Sequence, residues 1–478
     1  MIERALVGSA AVEFDGAVLG DRRRSERLKA IASSLETDPS TSFPRAMGSE
    51  AALEAFYRFI NGSGYTAADI LAPHVASTLE RATSERLVIA VHDTTIVEYS
   101  GNRSGLGFTR SKEHSGFVAH VGLLLSEADG LALGVAHLET WIRSGKKWRK
   151  RKKEGQRGRV HSYDEGRESL RWMRGIEAIE HAKASDFDVV HVTDAEGDFF
   201  ELLARLQALS GRYVIRAGQL DRLVISDGEE RSLREVVQQL TPVTWREIEL
   251  SERQHGPRIT GQAKHRRHPG RAARTARVAI ASQRVALKKT RYSDLKAEPF
   301  EVNVVRIWEP RPKRSEPPVE WILLTTEDTS SIAALKRIVD IYRRRWVIED
   351  YFKALKSGCS LEKRQVESYA ALCKILALCV PIASRLLALR GLERRNSRTP
   401  AKSAFSQTDL HLISHAPCNR ELKPPRTISE ALLQLARLGG HIKNNGPPGW
   451  QTLGWGYEKL LALRLGWEMA LASRSDQS

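Results

Sequence analysis

Two short apolar runs constrain this chain more than any other feature: "RLVIAVHD", closing on Asp93, and "FDVVHVTD", closing on Asp194. Both are rich in β-branched residues, and neither alternates with polar positions, so each predicts a strand covered on both faces. Their surroundings supply the cover. "FVAHVGLLLS" and "LALGVAHLETWI", joined at "EADG", predict a hairpin. A helix is expected over residues 168–184, another in "FFELLARLQALS", and a further strand in "RYVIRA". Strand, hairpin, helix, strand, helix, strand is a mixed α/β order. Residues 219–326 then become β-rich with polar alternation ("WREIELSE", "ARVAIASQRVALKK", "FEVNVVRIWE", "VEWILLT"), which predicts an antiparallel insertion.

Both ends read as helical. Asp21 can cap "RRRSERLKAIASSLE", Ser49 can cap "EAALEAFYRFI", and a third helix follows Thr66. Arg22, Arg23, Arg24 and Arg27 sit together in the first, and three short basic helices are one way to present a helix to a DNA groove. Helix returns at Ser331 and runs, in one piece or two, to a stop at Gly358. The remainder is helical, with a polar linker over residues 395–424 and a Trp-rich final helix from Trp455 to Trp467.

A chain of 478 residues is too long for one core. Its formal charge of +17 favours a polyanionic partner, usually nucleic acid. No basic amphipathic helix or lipidation signal supports a membrane surface instead, and charges stud the first thirty residues, which argues against a signal peptide. The longest apolar run, residues 371–389, is broken by Lys374, Pro381 and Arg385 and predicts a buried helix, not a membrane span. Four cysteines without zinc spacing predict a reduced, cytoplasmic setting. Two basic runs, "KKWRKRKK" at 146–153 and "KHRRHPGRAAR" at 264–274, read as solvated loops or as phosphate contacts without sequence preference.

The stretch "IYRRRWVIEDYFKALKSG" carries the remaining signal. On a regular helix Tyr342, Arg345, Glu349, Lys353 and Lys356 fall within about 80° of one another, beside an apolar stripe of Ile341, Ile348, Phe352 and Leu355. An amphipathic helix with spaced ion pairs is the plain alternative. Asp93 and Asp194 each end an apolar strand, where open sheets place their ligands. If those strands are neighbours the carboxylates converge, and they repel unless a cation bridges them or one takes a proton. With Glu349 added, three carboxylates would hold two Mg²⁺ about 3.5–4 Å apart, the arrangement for in-line displacement at phosphorus.

Tyr342, Arg345, Glu349 and Lys356 match the Y-(2)-R-(3)-E-(6)-K signature, and the chain resembles bacterial DDE transposases of the insertion-sequence-four family, with the transposon-five enzyme the nearest likeness. "LGDRRRSERL" and "GSEAALEAFYRFI" look like that family's DNA-binding helices, "VHDTT" and "VTDAEGD" like its two aspartate segments, and "LARLGG" with the later tryptophans like its dimerisation region. The resemblance implies a ribonuclease H-like catalytic core with a β-rich insertion, flanked by helical domains: residues 1–80 for DNA binding, 81–365 for catalysis with the insertion at about 219–326, and 366–478 for dimerisation. It implies Asp93, Asp194 and Glu349 as ligands of two Mg²⁺, with Mn²⁺ able to substitute. Tyr342, Arg345, Lys353 and Lys356 would hold phosphates of the transposon end. Trp321 would stack on a flipped base, the alternative being a strand-core residue. Arg216 would be a basic DNA contact, the alternative an ordinary strand-terminal arginine. Arg22, Arg23, Arg24 and Arg27 would add contacts from the first helix. The implied activity is cut-and-paste transposition through a hairpin, on terminal inverted repeats and target DNA. It would be carried out by a homodimer in the DNA complex, in the bacterial cytoplasm and nucleoid-associated when bound. The rival is a catalytically silent DNA-binding inhibitor, such as a product started at Met47. The basic run at 146–153 departs from the family pattern.

Overall fold

The computed structural model describes residues 7–37, 42–101, 103–109, 114–143, 167–183, 186–250, 272–289, 293, 295, 297–312, 318–395, 400–442, 448 and 450–475. The basic run at 146–153 and most of the run at 264–274 lie outside the described residues. The chain is mixed α/β, as expected, and divides into two compact units: residues 1–156, 175–188 and 346–478, and residues 157–174 and 189–345.

The first unit opens with five helices: α1 (Ala10–Glu13), α2 (Arg22–Thr37), α3 (Phe43–Met47), α4 (Glu50–Asn61) and α5 (Ala67–Thr83). Their starts are set by side-chain oxygens that take otherwise unpaired amides. Asp21 Oδ1 accepts from Arg23 N–H at 2.9 Å, Ser49 Oγ accepts from Ala52 N–H at 3.2 Å, and Thr66 and Asp69 form a reciprocal capping box. Three of the unit's strands follow: β1 (Leu87–Ser100), β2 (Gly107–Phe108) and β3 (His114–Ser126), with β4 (Ala132–Trp141) closing the expected hairpin. β3 pairs antiparallel with β1 on one side and with β4 and β2 on the other.

A buried ionic cluster ties the helices to this meander. Glu13, His74 and Arg81 are all buried. His74 Nε2 accepts the Val135 amide at 3.2 Å, so its proton lies on Nδ1, which donates to Glu13 Oε2 at 2.5 Å. Arg81 donates to Glu13 at 2.7 and 3.1 Å and to the Leu133 carbonyl at 2.7 Å.

The long helix α11 (Tyr369–Arg395) packs against α5 and β4. Its stretch Tyr369–Gly391 is, among the described residues, the one helix long and apolar enough to cross a membrane, and 94% of its most apolar window is buried inside the protein. It is a core helix, as its interrupting Lys374, Pro381 and Arg385 predicted. The unit ends in α12 (Gln407–His415), α13 (Ile428–Leu438) and α14 (Trp450–Ser475). α13 and α14 touch backbone to backbone at Gly439 and Gly456, where a Cβ would collide with the Thr452 and Leu435 carbonyl oxygens respectively. A second buried polar knot joins α2, α11 and α14. Arg385 donates to Tyr457 Oη at 2.7 Å and to the Val7 carbonyl at 2.9 Å, and lies 3.8 Å from Glu36. Glu36 accepts the Ala10 amide at 2.9 Å.

The second unit is built on β5 (Asp188–Thr193), whose residues from Val190 pair in parallel with β6 (Arg212–Arg216). α7 (Phe200–Ala208) connects them; α6 (Leu170–Lys183), most of which belongs to the first unit, precedes β5 in the chain. The expected antiparallel insertion follows as β7 (Leu223–Ser226), β8 (Glu229–Ser232), α8 (Leu233–Gln239), β9 (Thr244–Leu250), β10 (Arg274–Leu287), β11 (Phe300–Trp308) and β12 (Glu320–Thr325). The order is β5-β6-β12-β11-β10-β7-β8, with β9 paired to the first half of β10. β12 runs antiparallel to β6, so the insertion extends the sheet of β5 and β6 and does not form a separate layer.

One expectation fails locally and another is resolved. β1 does not end at Asp93: it runs on to Ser100, because the β-branched Thr94, Thr95, Ile96 and Val97 continue to pair along β3. The segment from Ser331 to Gly358 is not one regular helix. It comprises α9 (Ile332–Arg343), a 3₁₀ turn (Arg344–Trp346), α10 (Val347–Lys353) and a π turn (Ala354–Gly358). A uniform 100° step therefore does not describe the whole segment.

Candidate active site

Asp194 leaves β5 as the N-cap of a 3₁₀ turn (Ala195–Gly197), and its Oδ1 accepts the Glu196 amide at 2.9 Å. Three more sequence candidates of the same unit gather with it around the phenol of Tyr342. Tyr342 is buried at the end of α9. Burial raises its hydroxyl above the ordinary tyrosine value, against the pull of the Arg216 and Arg345 guanidiniums, and the Asp194 charge adds to the rise. Arg345 is buried and hydrogen-bonds that phenol, while Arg216 ends β6 exposed to solvent. The half-buried Trp321 ring on β12 lies 5.5 Å from the Tyr342 ring at 60°. One unit therefore supplies a carboxylate, two guanidiniums, a phenol and an aromatic face.

The other unit carries Asp93, Glu349, Lys353 and Lys356. Asp93 stands in the middle of β1, opposite Val121, and its Oδ1 accepts the Thr94 amide at 2.7 Å. Glu349 lies in the first turn of α10, which packs against β1, so these two carboxylates belong to elements in contact. Lys353 is exposed and 3.3 Å from Asp350. Lys356, in the π turn, donates to the Ile96 carbonyl at 2.5 Å and pairs with Glu362 at 3.0 Å, so its ammonium is engaged within the protein.

In the first helices, Arg22, Arg23 and Arg27 are exposed on α2. Arg24 also serves a structural end: it donates to the Leu19 carbonyl at 3.1 Å and lies 5.6 Å from the centre of the Tyr65 ring. The Lys374 ammonium covers the same ring at 4.5 Å.

Sequence reasoning passed over Asp198, four residues beyond Asp194 in "VTDAEGD". Its buried carboxylate accepts the Gly218 amide at 2.7 Å, the Gln219 amide at 2.8 Å and the Arg222 guanidinium. The second aspartate of the motif was its one available signal.

Among the described residues, no group of three or more His, Cys, Asp or Glu is close enough to hold a metal ion. The three candidate ligands are all carboxylates, and oxygen-only donors of that kind suit a hard divalent cation.

A carboxylate beside two guanidiniums and a phenol suits the handling of phosphate, in a chain whose charge favours nucleic acid. Residues 189–380 match the family model described as the transposase DDE domain, and residues 8–64 match the transposase DNA-binding domain. The chain carries the two domains of a DDE transposase and is an enzyme of that metal-dependent, DNA-cleaving class. Among solved structures, the piggyBac transposase synaptic complex with hairpin DNA is similar at 10% identity, covering 81% of this chain and 72% of that one, with a TM-score of 0.36.

Proposed function

We propose that the chain performs cut-and-paste transposition of a bacterial insertion sequence of the insertion-sequence-four family, with the transposon-five enzyme its nearest likeness. The observation that carries this reading is the gathering of Asp194, Arg216, Arg345 and Tyr342 in one unit, with Trp321 against Tyr342. Asp93, Asp194 and Glu349 would hold two Mg²⁺ on a ribonuclease H-like core. Bound there, the ions supply charge neutralisation at phosphate and activation of an attacking oxygen.

The protein groups do the rest. Arg216, Arg345 and the Tyr342 hydroxyl hold non-bridging phosphate oxygens of the transposon end, with Lys353 adding charge from its exposed position. Water cleaves one strand and frees a 3′-hydroxyl. That hydroxyl attacks the opposite strand to give a hairpin, a second water reopens it, and the ends join target DNA. Hairpin closure requires the terminal base to leave the stack, and Trp321 accepts its face, a contact worth roughly 1–3 kcal/mol. Residues 1–80 bind the terminal repeat, and residues 366–478 pair two copies on DNA.

The test is a time course on a duplex made from the DNA flanking the reading frame, with Mg²⁺. Asp93→Ala, Asp194→Ala and Glu349→Ala are each expected to abolish cleavage while end binding stays within a few fold. Trp321→Ala is expected to nick at the parental rate and to close hairpins about five- to a hundred-fold more slowly, the rate equivalent of the missing stacking. Normal cleavage by Glu349→Ala would remove it from the ligand set. Parental hairpin closure by folded Trp321→Ala would return that tryptophan to the strand core.

A further inference from the structure

Asp198 does more than fill a turn. The segment it holds, residues 217–222, begins directly after Arg216. Besides the two amides and the guanidinium on its carboxylate, the Asp198 carbonyl accepts Gln219 Nε2 at 2.7 Å, and Arg222 Nε donates to the Gln219 carbonyl at 3.2 Å. The segment also runs hard against the Asp194 turn: a Cβ on Gly218 would lie 3.1 Å from Ala195 Cβ and 3.2 Å from the Ala195 carbonyl oxygen. Asp198 and Arg222 are both buried, so neither side chain meets solvent or substrate.

The strand pairing cannot do this alone. In β5 and β6 the parallel register covers Val190 to Thr193 against Arg212 to Ile215, and so stops one residue short of both Asp194 and Arg216. Beyond that point Arg216 is held on its other side by β12, where it pairs with Leu323 and the Ala217 amide donates to the Ile322 carbonyl at 2.7 Å, but its tie to the Asp194 turn runs through the loops. Asp198 joins those loops.

We infer that Asp198 is a positioning residue, which fixes Arg216 relative to Asp194 by clamping the backbone after β6 to the turn after β5. The inference rests on the proposed role of Asp194 and adds the device that sets its distance to a phosphate-binding cation. A carboxylate suits the task because it accepts two converging amides and a guanidinium together, which an amide side chain cannot do.

The test is a double-mutant cycle on single-turnover cleavage of the same flanking-DNA duplex, using the full chain. Asp198→Asn is expected to slow cleavage about ten- to a hundred-fold, as a small misplacement of a charged group does. End binding should stay within a few fold. Arg216→Ala should show a loss of similar size. Because Asp198 acts through Arg216, the double variant should cleave no more slowly than Arg216→Ala alone. Gly218→Ala, which keeps every charge and presses the segment against Ala195, should reproduce the loss and share its non-additivity, and it serves if Asp198→Asn fails to fold. Multiplying losses in the double variant, or an Arg216→Ala variant at the parental rate, would overturn the inference. Asp194→Ala is measured alongside. If it cleaves normally the proposed site itself is wrong, whereas if it is inactive while the cycle is additive, only the positioning role falls.

Discussion

Glu13 shows what a single side chain does inside this protein. Burial by itself would raise its carboxyl, but the His74 hydrogen bond and the paired Arg81 outweigh burial and hold it down at about 2. Burial lowers His74, in keeping with a neutral ring whose Nε2 accepts an amide. Because the folded carboxyl titrates below its unfolded value, its contribution to stability is complete above about pH 4.5 and fades as pH falls toward 2. Glu13→Gln should cost roughly 3–5 kcal/mol at neutral pH, since it leaves Arg81 buried without its carboxylate. The variant should also flatten the acid limb of a stability-against-pH curve measured by chemical denaturation. An unchanged acid limb would show that other carboxylates govern acid unfolding.

At the scale of elements, α2 separates two kinds of arginine within six residues. Arg22, Arg23, Arg24 and Arg27 are all exposed, but Arg24 also reaches the Leu19 carbonyl and the Tyr65 ring. Replacing Arg22, Arg23 and Arg27 with alanine should weaken DNA-end binding and lower its salt slope by about 0.9 for each phosphate no longer neutralised, with thermal stability unchanged. Arg24→Ala should lower the melting temperature as well. A salt slope that does not move would take α2 out of the DNA interface. The same scale shows what the sequence disclosed. Caps at Ser49 and Thr66, the hairpin of β3 and β4, and Asp194 at the end of β5 were legible because each depends on neighbours in sequence. Asp93 in mid-strand was not, because β1 is prolonged by β3, more than twenty residues on. The helix before Gly358 could be read as one piece or two, but its 3₁₀ and π turns were not legible. Periodicity reports burial but not a change from α to 3₁₀ or π winding. Asp198 was hidden because its partners lie twenty and more residues away.

At the scale of the whole molecule, the first unit draws on segments from both ends of the chain. Its α13–α14 contact leaves no room for a side chain at Gly456, the residue before Tyr457 in the polar knot with Arg385 and Glu36. Gly456→Ala should therefore destabilise the protein by about 1–3 kcal/mol or more through overpacking. It should also lower hydrogen-exchange protection in α2, which is remote in sequence. Reduced protection confined to α13 and α14 would show that the knot does not transmit the disturbance.

The knot of Glu36, Arg385 and Tyr457 also has a consequence for when this protein becomes complete during its synthesis. A ribosome makes α2 long before α14. Until residue 457 has emerged, Glu36 lacks the tyrosine and the arginine arrangement that receive it, and the buried end of α2 has no finished seat. The end of α2, within the stretch that matches a transposase DNA-binding domain, is thus made long before it can settle. A chain interrupted anywhere before α14 would carry the arginines of α2 without the Tyr457 contact of this knot.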